Sequence, residues 1–265
     1  MRPSVLFISN KPINIEVNTL ENVGAIITGS SRGIGRATAI RLAQDGFKIT
    51  VNYSRDEEGA KKTVETVRDH GGEAFAVQAD VSNPEAVEEL VERTIEEYDD
   101  LGALVNNAGF SHHATLDELK HEDWQKALDV NLTGAFNCTK AAAPEMKELG
   151  WGRIVNISSL RAMTGSDHGS HYASSKAGIL GFTKSMALEL APEITVNAIS
   201  PGYTRTPMNR EAFQEKEDQI AAKIPLDRVA ESPEIAGVVS FLVSHDAAYI
   251  TGETINANGG IYMTS

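Results

Sequence analysis

The chain has 265 residues, with 24 Lys+Arg against 37 Asp+Glu for a formal net charge of −13, and 41% of its residues are apolar. That length holds one large α/β domain or two small ones, and that composition supports a sizeable core while arguing against a disordered acidic tail and a basic nucleic-acid module. Cys138 alone excludes an internal disulfide or a Cys-based metal set, no apolar run approaches the ~18 residues of a membrane helix, and Val5 to Ile8 is too short for a secretory core, so a cytoplasmic protein without a metal is expected.

Residues 1–22 lack clear periodicity and read as an N-terminal extension. From Val23 onward, short β-branched runs alternate with segments of helical period, the pattern of βαβ units around a parallel sheet. Seven strands are expected, at Gly24–Thr28, Lys48–Tyr53, Ala74–Asp80, Ala103–Asn107, Arg153–Ser158, Thr195–Ser200 and Thr254–Asn256. Helices are expected at Gly35–Gln44, Glu57–His70, Pro84–Glu97, Glu122–Lys147, Tyr172–Leu190 and Pro233–Ser244. The third starts well: Ser82 or Asn83 can cap it, Pro84 suits the first position, Glu85 meets the positive end of the helix, and Val87, Leu90, Val91 and Ile95 share a face. No repeat or linker interrupts the alternation, so residues 23–265 read as one domain. Regularity breaks at about 203–225, a charged insertion after a strand, where α/β folds build substrate lids.

Two stretches carry chemistry. Thr28-Gly29-Ser30-Ser31-Arg32-Gly33-Ile34-Gly35 joins the first strand to the first helix. Glycines there let the backbone approach a pyrophosphate, and the helix N-terminus offers unpaired N–H groups and positive dipole charge. The spacing differs from the G-x-G-x-x-G fingerprint, so a plain strand-to-helix turn is the alternative. Further on, Tyr172 and Lys176 stand at i and i+4 on one helix face. Such a pair often means a half-buried ring with a snorkelling amine. At about 4 Å and an effective dielectric near 20, however, ammonium and phenolate attract by roughly 4 kcal/mol, which would bring a Tyr pKa from ~10 towards ~7.

Together with Asp80-Val81, Asn106–Gly109 (NNAG), Asn131, Ser159 in NISS and Pro201–Thr206 (PGYTRT), these stretches resemble the short-chain dehydrogenase/reductase family, from about Val23 to Tyr262. Within the family the chain looks most like the 3-oxoacyl-(acyl-carrier-protein) reductase group. The resemblance implies an α/β fold: a single Rossmann-type doubly wound domain, with a seven-stranded parallel sheet and helices on both faces. It implies an enzyme that interconverts a carbonyl and a secondary alcohol by hydride transfer. Tyr172 would be the acid/base, Ser159 would hold the carbonyl oxygen, Lys176 would lower the Tyr172 pKa and bind the nicotinamide ribose, and Asn131 would position a water. Ser159, thirteen residues before Tyr172, has the family spacing, and Ser158 does not. Asn131 is unfavourable in a helix interior, a physical hint that it serves another purpose. The cofactor would lie against Gly29, Ser31, Arg32, Gly33, Ile34 and Gly35. Asp80 and Val81 would hold the adenine, Asn107, Ala108 and Gly109 would line the cleft, and Pro201, Gly202, Thr204 and Thr206 would fix the carboxamide.

Charge selects the cofactor. The family's acidic position at the end of the second strand is occupied by Tyr53, followed by Ser54 and Arg55, so Arg55 and Arg32 could converge on a 2′-phosphate and NADP(H) is expected over NAD(H). Asp56, Glu57 and Glu58 stand against this unless they serve the next helix N-terminus. For the substrate, the helix of Tyr172 carries Met186-Ala187-Leu188-Glu189 where carrier-protein reductases usually present basic residues, leaving Lys147 and Arg153 as basic candidates. The net charge favours a small carbonyl, alcohol or sugar over an acidic carrier protein. Arg161, His168 and His171 are the substrate-side candidates, and His112, His113 and His121 lack metal spacing. Arg205, Arg210 and Lys223, balanced by Glu211, Glu215, Glu217 and Asp218, are expected to face solvent. A sugar or polyol dehydrogenase and a catalytically silent cofactor-binding regulator are the alternatives. Ile179, Leu180, Phe182, Met186 and Leu190, with Gly178 and Gly181, suggest helix packing against a second copy, hence a homotetramer or a dimer.

Overall fold

The computed structural model describes residues 7–8, 11–12, 22–207 and 210–263, so the 1–22 extension lies almost wholly outside the described residues. Seven parallel strands form the sheet: β1 Gly24–Ile27, β2 Lys48–Tyr53, β3 Ala74–Gln78, β4 Ala103–Asn106, β5 Gly152–Ile157, β6 Ile194–Pro201 and β7 Thr254–Ala257. Their spatial order is β7-β6-β5-β4-β1-β2-β3. The chain winds one way from β1 and then restarts on its other side with β4. The crevice between the ends of those two strands is therefore the switch point where open α/β sheets bind ligands.

Both faces of the sheet are covered, which is why its strands read as continuous apolar runs. Ala25, Ile27, Val105 and Val155 point to one core, with Leu42, Val64 and Val239. Ile26, Leu104 and Ile154 point to the other, with Leu90, Met146 and Leu190. The helices are α1 Gly33–Gln44, α2 Glu57–Asp69, α3 Pro84–Tyr98, α4 His121–Leu128, α5 Gly134–Leu149, α6 Arg161–Thr164, α7 Ser170–Leu190, α8 Arg210–Ala221 and α9 Ser232–Val243. Asn83 caps α3, its side chain accepting from the N–H of Glu85 at 3.0 Å. Asp56 caps α2, accepting from Gly59 N–H at 2.9 Å.

The expected Glu122–Lys147 helix is interrupted. Residues Asp129–Thr133 form a π turn between α4 and α5, with Asn131 inside it. The insertion after β6 is also more regular than its charge pattern suggested: Thr204–Arg205 pairs with Ala230–Glu231, and α8 lies between them. Among the described residues, no helix is long and apolar enough to cross a membrane.

Candidate active site

The turn from β1 into α1 is built for close approach. Gly29 has φ +62°, and a Cβ there would come 2.9 Å from the Ala108 Cα. A Cβ on Gly35 would meet Asn107 Nδ2 at 2.5 Å and the Gly29 carbonyl oxygen at 2.6 Å. Asn107 Nδ2 donates to the carbonyls of Thr28 and Gly29, at 2.8 and 3.1 Å. Asn52, buried on β2, accepts from Gly29 N–H at 3.1 Å and donates to the Ala79 carbonyl at 3.0 Å. These bonds leave the loop little freedom. Gly35→Ala is accordingly expected to cost about 1–3 kcal/mol through overpacking and to weaken dinucleotide binding more than it lowers the melting temperature, measured by cofactor titration beside thermal denaturation.

Unlike α2 and α3, α1 has no side-chain cap at its N-cap residue Arg32 and no acidic residue in its first turn. Its first N–H groups and dipole remain available to an anion. Beside it, Tyr53, Ser54, Arg55, Asp80 and Val81 line the same cleft. Asp56 turns out to serve α2 as its cap while lying 3.9 Å from Arg32, and Glu57 pairs with Lys61. Asp80 is occupied by the N–H and hydroxyl of Ser82.

The cleft has a volume of about 1320 Å³ and runs from Arg55 to the far end of β5 and β6. Gly29, Ser31, Arg32, Gly33, Ile34, Gly35, Asn107, Ala108, Gly109, Pro201, Gly202, Thr204 and Thr206 all line it, as do Ser159, Tyr172 and Lys176. Its two sides approach each other where a Cβ on Gly33 would lie 3.5 Å from Thr206.

Ser158 and Ser159 follow β5 and separate in role. The Ser158 hydroxyl donates to the Lys176 carbonyl at 2.8 Å and is structural. Ser159 lines the cleft beside Tyr172, its Oγ accepting from the Arg161 N–H at 3.1 Å. Lys176 is 3% exposed, donates to the Ile157 carbonyl at 2.8 Å, and burial lowers its pKa to about 8. Its Nζ lies 6.0 Å from the Tyr172 ring centroid. Burial pushes the Tyr172 phenol above its usual value, with the Ser159 hydrogen bond and the Arg161 charge acting the other way. The downward shift expected from Lys176 is thus absent here, because desolvation dominates and the ammonium is engaged with a backbone carbonyl.

Asn131 does not line the cleft. Its Oδ1 accepts from Phe110 N–H at 2.6 Å, and its Nδ2 donates to the Phe110 carbonyl at 3.0 Å and to Ser175 Oγ at 2.8 Å. The Ser175 hydroxyl in turn donates to the Tyr172 carbonyl at 2.8 Å. The π turn therefore presents an amide that clamps the loop after β4 to the helix carrying Tyr172 and Lys176.

The substrate-side candidates divide. Arg161 and His168 line the cleft, whereas His171 is fully buried and does not. One residue of helix turns the side chain by about 100° from that of Tyr172, and His171 packs near His112, with ring centroids 6.3 Å apart. Arg153, a basic candidate on a strand, does not reach the cleft: it is 5% exposed and lies over the Trp151 ring at 4.7 Å, near the start of β5. Lys147, in the last turn of α5, does not line the cleft either. Lys223 does, and so does His113, which the sequence places just after the NNAG strand within reach of the cleft, whereas His112 does not line it; Lys126, Lys216 and Tyr203 join them, and periodicity gave no reason to single those three out. Arg205 pairs with Glu217 and Glu231, while the side chains of Arg210, Glu211 and Glu215 lie outside the described residues.

Dinucleotide-dependent oxidoreductases are built this way, with the cofactor in the switch-point crevice and acid–base groups at its far end. Comparison with known proteins narrows the class. The family model described as enoyl-(acyl carrier protein) reductase matches residues 29–262. A 3-oxoacyl-(acyl-carrier-protein) reductase of Synechocystis sp. is 44% identical over 241 residues, 90% of this chain and 96% of its own length. One from Staphylococcus epidermidis is 40% identical over 243 residues, 91% of this chain and all of its own. Among solved structures, a variant of actinorhodin polyketide ketoreductase with NADPH superposes with a TM-score of 0.86 at 38% identity, over 90% of this chain and 97% of that one. An NAD⁺-bound xylitol dehydrogenase reaches the same TM-score at 33% identity, over 91% and 99%. The chain belongs to the short-chain dehydrogenase/reductase family, as an oxidoreductase acting on carbonyl and CH–OH groups.

Proposed function

We propose that the protein is an NADPH-dependent reductase of 3-oxoacyl thioesters or closely related 3-oxo compounds, with Tyr172 as the general acid. The observation that carries this reading is one continuous cleft that joins two features: an uncapped helix N-terminus flanked by Arg32 and Arg55, and Ser159, Tyr172 and Lys176 lining its far end. The residues fit the cofactor. Glycine at 29 and 35 lets the loop pack directly on Ala108 and Asn107 and leaves the uncapped N-terminus of α1 open to its phosphates, and Tyr53 stands where an acid would repel a 2′-phosphate. When bound, NADPH supplies the hydride. Ser159 orients the carbonyl oxygen, Tyr172 gives it a proton, and Lys176, buried beneath, favours the phenolate left behind whenever its amine is charged. Asn131 acts by holding the loop of Phe110 against α7.

The relatives' names favour thioesters over the small neutral carbonyl that net charge alone suggested. Lys126, Arg161, Lys216 and Lys223 make the substrate end locally basic despite the overall −13. The polyol alternative keeps its support from the xylitol dehydrogenase likeness. Turnover with NADPH and NADH against 3-oxoacyl thioesters, aldoses, polyols and simple ketones tests the reading. Reduction of a 3-oxo compound with NADPH, as thioester or as free acid, should dominate, and activity confined to polyols would refute it.

Residues 203–225 are proposed as the lid over the substrate, and the assembly as a homotetramer or a dimer. Phe136 on α5 is 47% exposed and meets Phe182 of α7 edge-on, with centroids 6.5 Å apart, while a Cβ on Gly181 would touch nothing within 4 Å. Ile179 and Leu190 instead face the core. Replacing Phe136 and Phe182 together by Glu should lower the solution mass to that of a smaller assembly in light scattering. An unchanged mass would place the contact elsewhere.

A further inference from the structure

The cleft holds a cation that the chemistry above does not use. Arg161 opens α6, and its backbone N–H donates to Ser159 Oγ at 3.1 Å, so its place is tied to the hydroxyl that orients the carbonyl. Its Nη2 donates to the Tyr203 hydroxyl at 3.0 Å and its Nη1 to the Gly165 carbonyl at 3.4 Å, leaving one N–H on each, and its guanidinium carbon lies 5.7 Å from the Tyr203 ring centroid. The guanidinium is therefore held against one wall of the cleft. Among the described residues no carboxylate forms an ion pair with it. Asp167, on the same stretch of lining, is engaged with His168 Nδ1 at 2.7 Å.

Asp167 is the negative charge nearby, and it is turned to His168 rather than to Arg161. The His113 and His168 rings stack at 4.5 Å on the same stretch of cleft. Burial, followed by the charges of His168, His112 and Arg161, keeps His113 below its usual pKa, with Asp167 acting the other way. The Arg161 charge also pulls on the Tyr172 phenol against the effect of burial. Felt by both groups, it acts along the stretch of cleft from Tyr172 to His113. A fixed fork of N–H donors there matches a carboxylate better than a neutral oxygen, because two parallel charge-assisted bonds replace one weaker one.

We propose that Arg161 is a specificity-determining residue for a substrate carboxylate, and that the enzyme reduces small 3-oxo acids carrying that group free. This rests on the carbonyl-reductase reading and specifies its substrate. The reaction is unchanged: a C–H bond forms at the ketone carbon, the carbonyl π bond opens onto oxygen, and the Tyr172 proton completes the hydroxyl. The carboxylate is a spectator held by Arg161. A thioester offers the same guanidinium only a neutral carbonyl, and so does an ester.

The test compares acetoacetate with methyl acetoacetate in the NADPH-loaded enzyme. The wild type should show the higher kcat/KM on the acid, and Arg161→Met should lower the acid-to-ester ratio at least tenfold, with Arg161→Lys recovering part of it. A wild-type preference for the ester, or a ratio that moves less than twofold in Arg161→Met, would overturn the proposal. Calorimetry of the same complex with butyrate and butyramide, which cannot be reduced, gives a second readout. Butyrate should bind at least tenfold more tightly, and equal binding would overturn the proposal even where the variants fail to fold. If neither ketone nor a 3-oxoacyl thioester is reduced, the carbonyl-reductase reading falls, while calorimetry still decides whether Arg161 selects a carboxylate.

Discussion

Replacing Tyr172 by Phe is expected to lower kcat for carbonyl reduction by about 10²–10⁴-fold, the usual worth of a positioned general acid, while the dissociation constant for NADPH changes little. The ring fills the same space and keeps its packing; only the hydroxyl that meets Ser159 is lost. Fluorescence titration of the cofactor beside steady-state turnover separates the two quantities. Activity within a few-fold of wild type would transfer the proton-donor role to another group.

The pH profile should report Lys176. Burial holds its pKa at about 8 against 10.5 for an exposed lysine, so the free enzyme loses the ammonium as pH rises through about 8. Its attraction for the phenolate left by proton transfer disappears with it. Reductive kcat/KM should therefore fall above that pH. The sign for stability is opposite. The unfolded chain keeps the proton up to the usual lysine value, so between about 8 and 10.5 it binds more protons than the folded state, and this lysine makes folding more favourable as pH rises through that window.

The second large effect concerns the choice of cofactor. Converting Arg32 and Arg55 together to Ala should weaken NADPH binding by about 10–100-fold, since hydrogen bonds from charged groups contribute roughly 1.5–3 kcal/mol each and exposure reduces that figure. Arg32 is 64% exposed, so the lower half of the range is the better guide. NADH binding should change far less, because it lacks the 2′-phosphate. Tyr53→Asp would push the same way by placing a carboxylate at the end of β2. Titration of each variant with both cofactors measures the ratio. Equal losses for NADPH and NADH would show that the two arginines support the loop rather than read the phosphate.

Much of this was legible in the chain. The seven strands follow from alternating β-branched runs, and the glycine loop and the Tyr172–Lys176 spacing place both ends of the cleft. What escaped depends on direction and on tertiary contact. Neighbouring positions such as His171 and Tyr172 look equally available in sequence, yet helical rotation buries the imidazole and puts the phenol in the cleft. Arg153 reads as a basic candidate because nothing local says which end of its strand meets the cleft. Asn131 was noticeable as a poor helix former, but the π turn that carries it follows from its bonds to Phe110 and Ser175, far away in the chain. The charges of residues 203–225 read as solvated, since a charge pattern does not reveal that Lys216 and Lys223 turn towards a cleft.

The central claim is that hydride passes in this cleft from a nicotinamide to a ketone carbon. Incubating the enzyme and a 3-oxoacyl thioester with NADPH carrying two deuterons at ring position 4 tests it most directly, with the product read by mass spectrometry and NMR. One deuteron should appear on the new carbinol carbon for each NADPH consumed, the other remaining on the oxidised nicotinamide. Alcohol formed without deuterium at that carbon, or no alcohol from any 3-oxo substrate while the cofactor binds, would contradict it.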